Sequence, residues 1–277
     1  MVQYSLEGKI AIITGGSSGI GYGIASALAS RGTSVYLLAR DLEKLKRAKS
    51  NIIEQGGKAE IRQADITETE KIKQIIEDIY KSQGHIDLFI NNAGMWKGQT
   101  IGANPLELQN MRSLIRDSPT EITEYLINKF KNSEDKIKIL TIISQAGLRF
   151  MENNLGYGTA KMGLTVNLVH LQGELERNNI QNIELSTLYP ATVATQTVLP
   201  IIKSGQLQNA TTLESVVNTA LDIILNKTPT NHAYIGYIPG KGILRRYFEL
   251  EITKNILPQI GEDHIIDSDF STQDLIK

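Results

Sequence analysis

Tyr157 and Lys161 stand four residues apart in Tyr157-Gly158-Thr159-Ala160-Lys161, a spacing that places a phenol and an ammonium on one face of a helix. A free tyrosine ionises near pH 10, so proton transfer at neutral pH calls for a nearby positive charge, which Lys161 would supply. The pair taken alone also describes a solvated amphipathic face. A second constellation is Thr14-Gly15-Gly16-Ser17-Ser18-Gly19-Ile20-Gly21, between a β-branched run and a stretch of helical spacing. Gly15, Gly19 and Gly21 would let the chain turn tightly, let a pyrophosphate reach the backbone at a helix N-terminus, and let that helix pack closely on a sheet. An ordinary glycine-rich strand-to-helix turn is the plainer alternative.

The elements that must hold these residues alternate. Apolar, β-branched runs at 10–13, 34–38, 59–63, 86–90, 138–143, 183–188 and 233–237 read as buried strands. Between them, 21–31, 42–55, 68–83, 120–131, 157–177 and 213–225 carry helical spacing, the last with Thr212 and Ser215 as a partial capping signal. This order predicts an α/β fold: a Rossmann-like, doubly wound parallel sheet flanked by helices in a single domain. Ligands of such a sheet bind beyond the carboxyl ends of its strands, where every motif discussed here falls. The domain is expected to span 1–240, with a lid at about 196–212. Two stretches fit less well: 99–117 shows helical character only around 106–115, and 199–208 reads as a lid or loop. The extension 241–277 is expected to be partly helical, covering the site or meeting another subunit, with a fraying acidic end.

Composition narrows the partners. Lys and Arg total 29 against 30 Asp and Glu, so no basic field points to nucleic acid or anionic lipid, and a small molecule is the expected partner. No apolar run approaches a membrane span and no basic leader opens the chain, so a cytoplasmic protein is expected. The chain has no cysteine, and His85, His170, His232 and His264 lack paired ligand spacing, so no metal site is expected.

The Thr-Gly-x-x-x-Gly-x-Gly spacing resembles that of the classical short-chain dehydrogenase/reductase family. Asn91-Asn92-Ala93-Gly94, preceded by Asp87, resembles that family's strand-ending motif, and Ser144 precedes Tyr157 by 13 residues, as in the family pattern. The resemblance implies a catalytic set of Ser144, Tyr157 and Lys161. It implies a cofactor site of Gly15, Ser17, Ser18, Gly19 and Ile20 at the phosphates, and of Asp65 and Ile66 at the adenine. Asn92, Ala93 and Gly94 would lie by a ribose also held by Tyr157 and Lys161, and Pro190, Val193 and Thr195 by the nicotinamide. Asp65 could equally cap the helix that follows it. The second strand ends in Ala39-Arg40, where an acidic residue would favour a ribose 2′-hydroxyl; Arg40 would instead pair with a 2′-phosphate, so NADP(H) is expected over NAD(H). Arg40 merely solvating the start of the next helix is the other reading.

The implied activity is reduction of a ketone to a secondary alcohol, or its reverse. Dehydratase or epimerase chemistry on the same scaffold, or a sensor or scaffold that binds NADP(H) without turnover, are the alternatives. The chain departs from the family in two places. Ala191 replaces a glycine in Pro190-Ala191-Thr192-Val193-Ala194-Thr195, and the relay asparagine expected before the serine strand is missing, with Arg116-Asp117 near its place and Asn110 upstream. Trp96, Gln145, Leu148, Met151, Asn153, Asn154, Leu199 and Ile202 are pocket candidates whose mixture suggests an apolar substrate with polar decoration, although Trp96 and Met151 could equally be core. A homodimer or homotetramer is expected, pairing 120–131 and 157–177 through Val166, Leu168, Val169 and Leu171.

Overall fold

A computed structural model describes residues 5–96, 102–205, 210–238, 242–247 and 263–267. The chain runs β1 (Ile10–Thr14), α1 (Gly19–Ala29), β2 (Ser34–Ala39), α2 (Leu42–Glu54), β3 (Lys58–Gln63), α3 (Thr69–Gln83), β4 (Leu88–Asn91) and α4 (Pro105–Arg112). A π-helical turn, Ser113–Asp117, joins α4 directly to α5 (Ser118–Phe130). Then follow β5 (Ile137–Ile142), a 3-10 turn at Gln145–Gly147, α6 (Leu155–Arg177), β6 (Ile183–Pro190), α7 (Leu199–Lys203), α8 (Leu213–Ile224), β7 (His232–Ile238), β8 (Gly242–Tyr247) and β9 (Asp263–Asp267). The sheet order is β3-β2-β1-β4-β5-β6-β7-β8-β9. Strands β1 to β7 pair in parallel, as the alternating pattern requires. The order reverses between β1 and β4, and there the crevice of a doubly wound sheet opens.

Burial follows from the spacing of apolar residues. In α3, Ile72, Ile75, Ile76 and Ile79 form one buried face, and the helix stops where Gly84 takes a left-handed conformation at φ 80°. With Ile10, Ile12, Phe89, Ile139, Leu126 and Phe130 they fill one side of the sheet. Ala11, Ile13, Leu37, Leu140 and Ile142 face the other way, toward Ile24, Leu28, Ile52, Val216 and Ile223 of α1, α2 and α8. Thr212 caps α8 as its position suggests, its Oγ1 accepting from Ser215 N at 3.0 Å. Lys138 is buried at the amino end of β5, where its ammonium donates to the terminal carbonyls of α8, Ile223 O and Ile224 O, and pairs with Glu184.

The described part of the extension, expected to be partly helical, is extended: Gly242–Tyr247 is a strand, antiparallel to β7, and Asp263–Asp267 pairs antiparallel with it. β7 would otherwise present an open edge, and β8 covers it with buried Ile243 and Leu244 while Arg245 Nη1 pairs with Asp222 Oδ2 of α8 at 2.7 Å. Residues 248–262 and the acidic end beyond 267 lie outside the described residues, as do 206–209 of the lid; Leu199–Lys203 of the lid is helical. No helix among the described residues is long and apolar enough to cross a membrane.

Candidate active site

The glycine turn and the end of β4 are built as one unit. Thr14 Oγ1 donates to Ile90 O (3.2 Å) and accepts from Asn92 N and Ala93 N (3.0 Å each), while Asn92 Nδ2 donates to Thr14 O (3.0 Å) and Gly15 O (3.3 Å). The amides of Asn92 and Ala93, expected beside a ribose, are thus spent on holding the turn in register with β4. A Cβ on Gly21 would lie 2.4 Å from Asn92 Nδ2 and 2.5 Å from Gly15 O, so only glycine permits this approach. Gly19 sits at φ +57°, and a Cβ there would lie 3.6 Å from Thr195 Cγ2 and 4.0 Å from Thr195 Cβ. α1 begins without a side-chain cap from Ser18, and this open turn at a helix N-terminus fits a phosphate-bearing group.

Ser144, Tyr157 and Lys161 meet at the carboxyl end of β5. Ser144 opens the 3-10 turn after β5, its Oγ accepting from Ala146 N at 3.2 Å. Burial holds the Tyr157 phenol above its ordinary range, and the neighbouring Ser144 hydroxyl, which favours the phenolate, only partly offsets that. Met111, Ile115 and Ala160 pack with Leu114 around the Tyr157 ring. Lys161 is 4% exposed, donates from Nζ to Ile142 O at 3.2 Å, and lies 5.8 Å from the centroid of the Tyr157 ring. Burial lowers its pKa to about 7. In the protein alone, desolvation thus opposes charge on both Tyr157 and Lys161. The Cα of Gly94 faces the Lys161 ammonium, which would be 3.9 Å from an added Cβ.

The remaining expected residues divide. Arg40 is exposed, its Nη1 3.5 Å from Asp65 Oδ2, and Asp41 caps α2. Asp65 closes a turn by accepting from Thr67 N and Oγ1, and Glu68 rather than Asp65 takes the cap position of α3. Burial alone would raise the Asp65 pKa, yet the Thr67 bonds and the Arg40 charge hold it below the ordinary value. Ile66 is buried, as is Val193, which bridges to Thr211, and Pro190 ends β6. Ala191 needs no glycine, since its φ is negative and its N–H continues the ladder to Ile235 O at 2.8 Å.

Asn110 lies exposed on α4. Arg116 occupies the π-helical turn, its Cδ 2.6 Å from where a Cβ on Gly163 would be, and its carbonyl accepts from Thr120 Oγ1, which also accepts from Asn167 Nδ2. Beneath this turn, Asn91 Oδ1 and Thr141 Oγ1 are buried without hydrogen-bond partners on residues that face each other across β4 and β5. Neither the π turn nor this pair carries a signal in the sequence. Of the pocket candidates, Ile202 is buried with Ala194 and Ala210, and Leu148 packs on Ile143 and Tyr189. Trp96, open to a core reading, is 59% exposed. Of the apolar residues expected at a subunit contact, Leu168 is buried within the chain and Val166 is exposed.

The family model described as short chain dehydrogenase matches residues 9–204. A fatty acyl-CoA reductase from Acinetobacter baylyi is 46% identical over 94 residues, 34% of this chain and 32% of that protein, so the chain matches about a third of its length. The ketoacyl reductase HetN from a Nostoc species is 28% identical over 227 residues, covering 81% of this chain and 78% of that one. The solved structure of a 7α-hydroxysteroid dehydrogenase complexed with NADH and 7-oxo glycochenodeoxycholic acid has the same fold, with a TM-score of 0.70 at 23% identity over 79% of this chain and 88% of that chain.

Proposed function

Because the chain belongs to the short-chain dehydrogenase family, whose model it matches over residues 9–204, we propose that it reduces a ketone to a secondary alcohol with NADP(H), or runs the reverse, with Tyr157 as general acid and base. Gly15, Ser17, Ser18, Gly19 and Ile20 would hold the pyrophosphate at the start of α1, Arg40 a 2′-phosphate, Asp65 and Ile66 the adenine edge, and Thr195 with Pro190 and Val193 the carboxamide. Gly94, Tyr157 and Lys161 would meet the ribose of the nicotinamide. The bound nicotinamide supplies the hydride.

The Ser144 hydroxyl donates to the carbonyl oxygen and stabilises the negative charge that develops there, and the Tyr157 phenol delivers the proton. One observation carries this reading: Ser144 at the end of β5, Tyr157 and the buried Lys161, whose Nζ lies 5.8 Å from the Tyr157 ring centroid, are gathered in one place, with the phenol in the neutral form required of an acid. In the alcohol-oxidising direction the phenol must ionise, and Lys161 in its charged form would favour that. Support for NADP(H) is Arg40 beside an alanine rather than an acid; Asp65, 3.5 Å away, would have to release it in part. Pairing of α5 and α6 between two copies is part of the same proposal, with Val166 as its exposed apolar contribution. The test is NADPH and NADH consumption over a panel of ketones. Substrate-dependent oxidation, faster with NADPH, is expected; tight NADPH binding with no oxidation on any ketone would mark a sensor instead.

A further inference from the structure

Thr165 is buried on α6, four residues beyond Lys161. A hydroxyl kept from water must find its partners inside the protein. Thr165 Oγ1 shares its hydrogen between two carbonyls, Lys161 O of its own helix at 3.1 Å and Gly147 O at 3.3 Å. The first bond is the ordinary one for a threonine inside a helix, to a carbonyl that the helix ladder already serves. The second is not local. Gly147 closes the 3-10 turn that Ser144 opens: its N–H donates to Ser144 O at 2.9 Å, and Ser144 Oγ accepts from Ala146 N within the same turn. The turn rests on α6 so closely that a Cβ on Gly147 would stand 2.8 Å from Thr165 Oγ1 and 3.1 Å from Lys161 O. One buried hydroxyl thus joins the segment carrying Ser144 to the helix carrying Tyr157 and Lys161.

We propose that Thr165 is a positioning residue of the reaction: by bonding Gly147 O and Lys161 O together, its hydroxyl fixes the turn of Ser144 against the helix of Tyr157 and sets where the Ser144 hydroxyl meets the substrate oxygen. The inference rests on the ketone-reducing reading above. A misplacement of about 1 Å between such groups costs up to about a hundredfold in rate, while the cofactor, held by other segments, binds as before. Valine fills the space of Thr165 but takes the hydrogen away from Gly147 O; serine keeps it. A hydroxyl with only a structural part provides the comparison. Thr33, buried at the amino end of β2 and remote from the site, donates from Oγ1 to Leu6 O at 2.9 Å.

The full chain is assayed with NADPH in steady state and in single turnover, with cyclohexanone, ethyl acetoacetate and methyl nonyl ketone as probes. Thr165→Val should lower kcat and the single-turnover rate about ten- to a hundredfold, with KM and the Kd for NADPH within about twofold of wild type; Thr165→Ser should recover the rate to within about threefold. Thr33→Val should unfold at lower urea, as Thr165→Val does, yet keep kcat within about twofold. In the reverse direction, with NADP+ and the matching alcohol, the pH of half-maximal rate should move upward in Thr165→Val, because the Ser144 hydroxyl that favours the Tyr157 phenolate is displaced. Tyr189, the phenol neighbouring Thr165, is pushed up to about 12 by burial and stays protonated through the assay range, so the shift reports Tyr157. Should Thr165→Val fail to fold, Thr165→Ala against Thr165→Ser makes the same comparison. A valine variant that loses no more rate than Thr33→Val and keeps the wild-type pH profile, or a serine variant as slow as the valine one, overturns the inference and leaves the ketone-reducing reading standing. If wild type reduces none of the probes, that reading fails and the inference falls with it.

Discussion

Replacing Lys161 with methionine should stabilise the protein alone while ending its turnover. The ammonium is 4% exposed, its hydrogen bond goes to Ile142 O, and no carboxylate pairs with it among the described residues. Burial moves its dissociation from 10.5 to about 7, which corresponds to a penalty of roughly 5 kcal/mol for keeping the charge inside. Methionine removes that penalty at similar volume but leaves Ile142 O short of a donor, a loss of about 1–3 kcal/mol. The net gain is about 2–4 kcal/mol at pH 6. The pH dependence fixes the cause. Below pH 7 both folded and unfolded chains carry the proton and the penalty is constant; between pH 7 and 10.5 the unfolded chain keeps a proton that the folded one has released, so wild-type stability rises with pH. The advantage of the variant should therefore shrink by about 3 kcal/mol between pH 6 and pH 9. Urea unfolding of both proteins at the two pH values at fixed ionic strength measures this. A variant less stable than wild type at pH 6, or a difference that does not change with pH, would refute the reasoning.

Other perturbations separate scaffold from site. Gly21→Ala places a methyl 2.4 Å from Asn92 Nδ2 and 2.5 Å from a backbone oxygen, so calorimetric NADPH affinity should drop at least about tenfold and stability by about 1–3 kcal/mol. Arg40→Ala should raise the Kd for NADPH about tenfold more than that for NADH, whereas equal losses would remove the 2′-phosphate role. Asp87→Ala strips partners from Lys9 Nζ (2.7 Å), Ile10 N (2.9 Å) and His85 (3.3 Å), and should cost about 2–3 kcal/mol in denaturant while leaving kcat within about twofold.

Strands β1 to β7 and the helices around them are legible from apolar spacing because each is buried on a defined face, and the boundaries shift by a residue or two at their ends. The region between β4 and β5 is not. A polar stretch with helical spacing only around 106–115 gives no sign that α4 and α5 join through a π turn, since that extra residue per turn is set by packing of Met111 and Ile115 on Ala160, remote in sequence. β8 was misread for a related reason: Ile-Leu-Arg-Arg-Tyr suits either state, and the open edge of β7 decides for strand. In the site, residue types and spacing brought together the glycine turn, Ser144, Tyr157 and Lys161. They did not reveal that Asn92 is spent on the carbonyls of Thr14 and Gly15, or that the buried Lys161 ammonium is bonded to Ile142 O. Trp96 reads from sequence as either pocket or core; in the structure it is exposed, with its indole bonded to Asn154.

The measurement that bears most directly on the central claim is Tyr157→Phe, assayed for NADPH binding and for single-turnover ketone reduction in the same preparation. With the phenol hydroxyl as the proposed proton donor, binding should stay within about twofold of wild type while the reduction rate falls about a thousandfold. A variant that reduces ketone within about tenfold of the wild-type rate would contradict the assignment of Tyr157 as the acid.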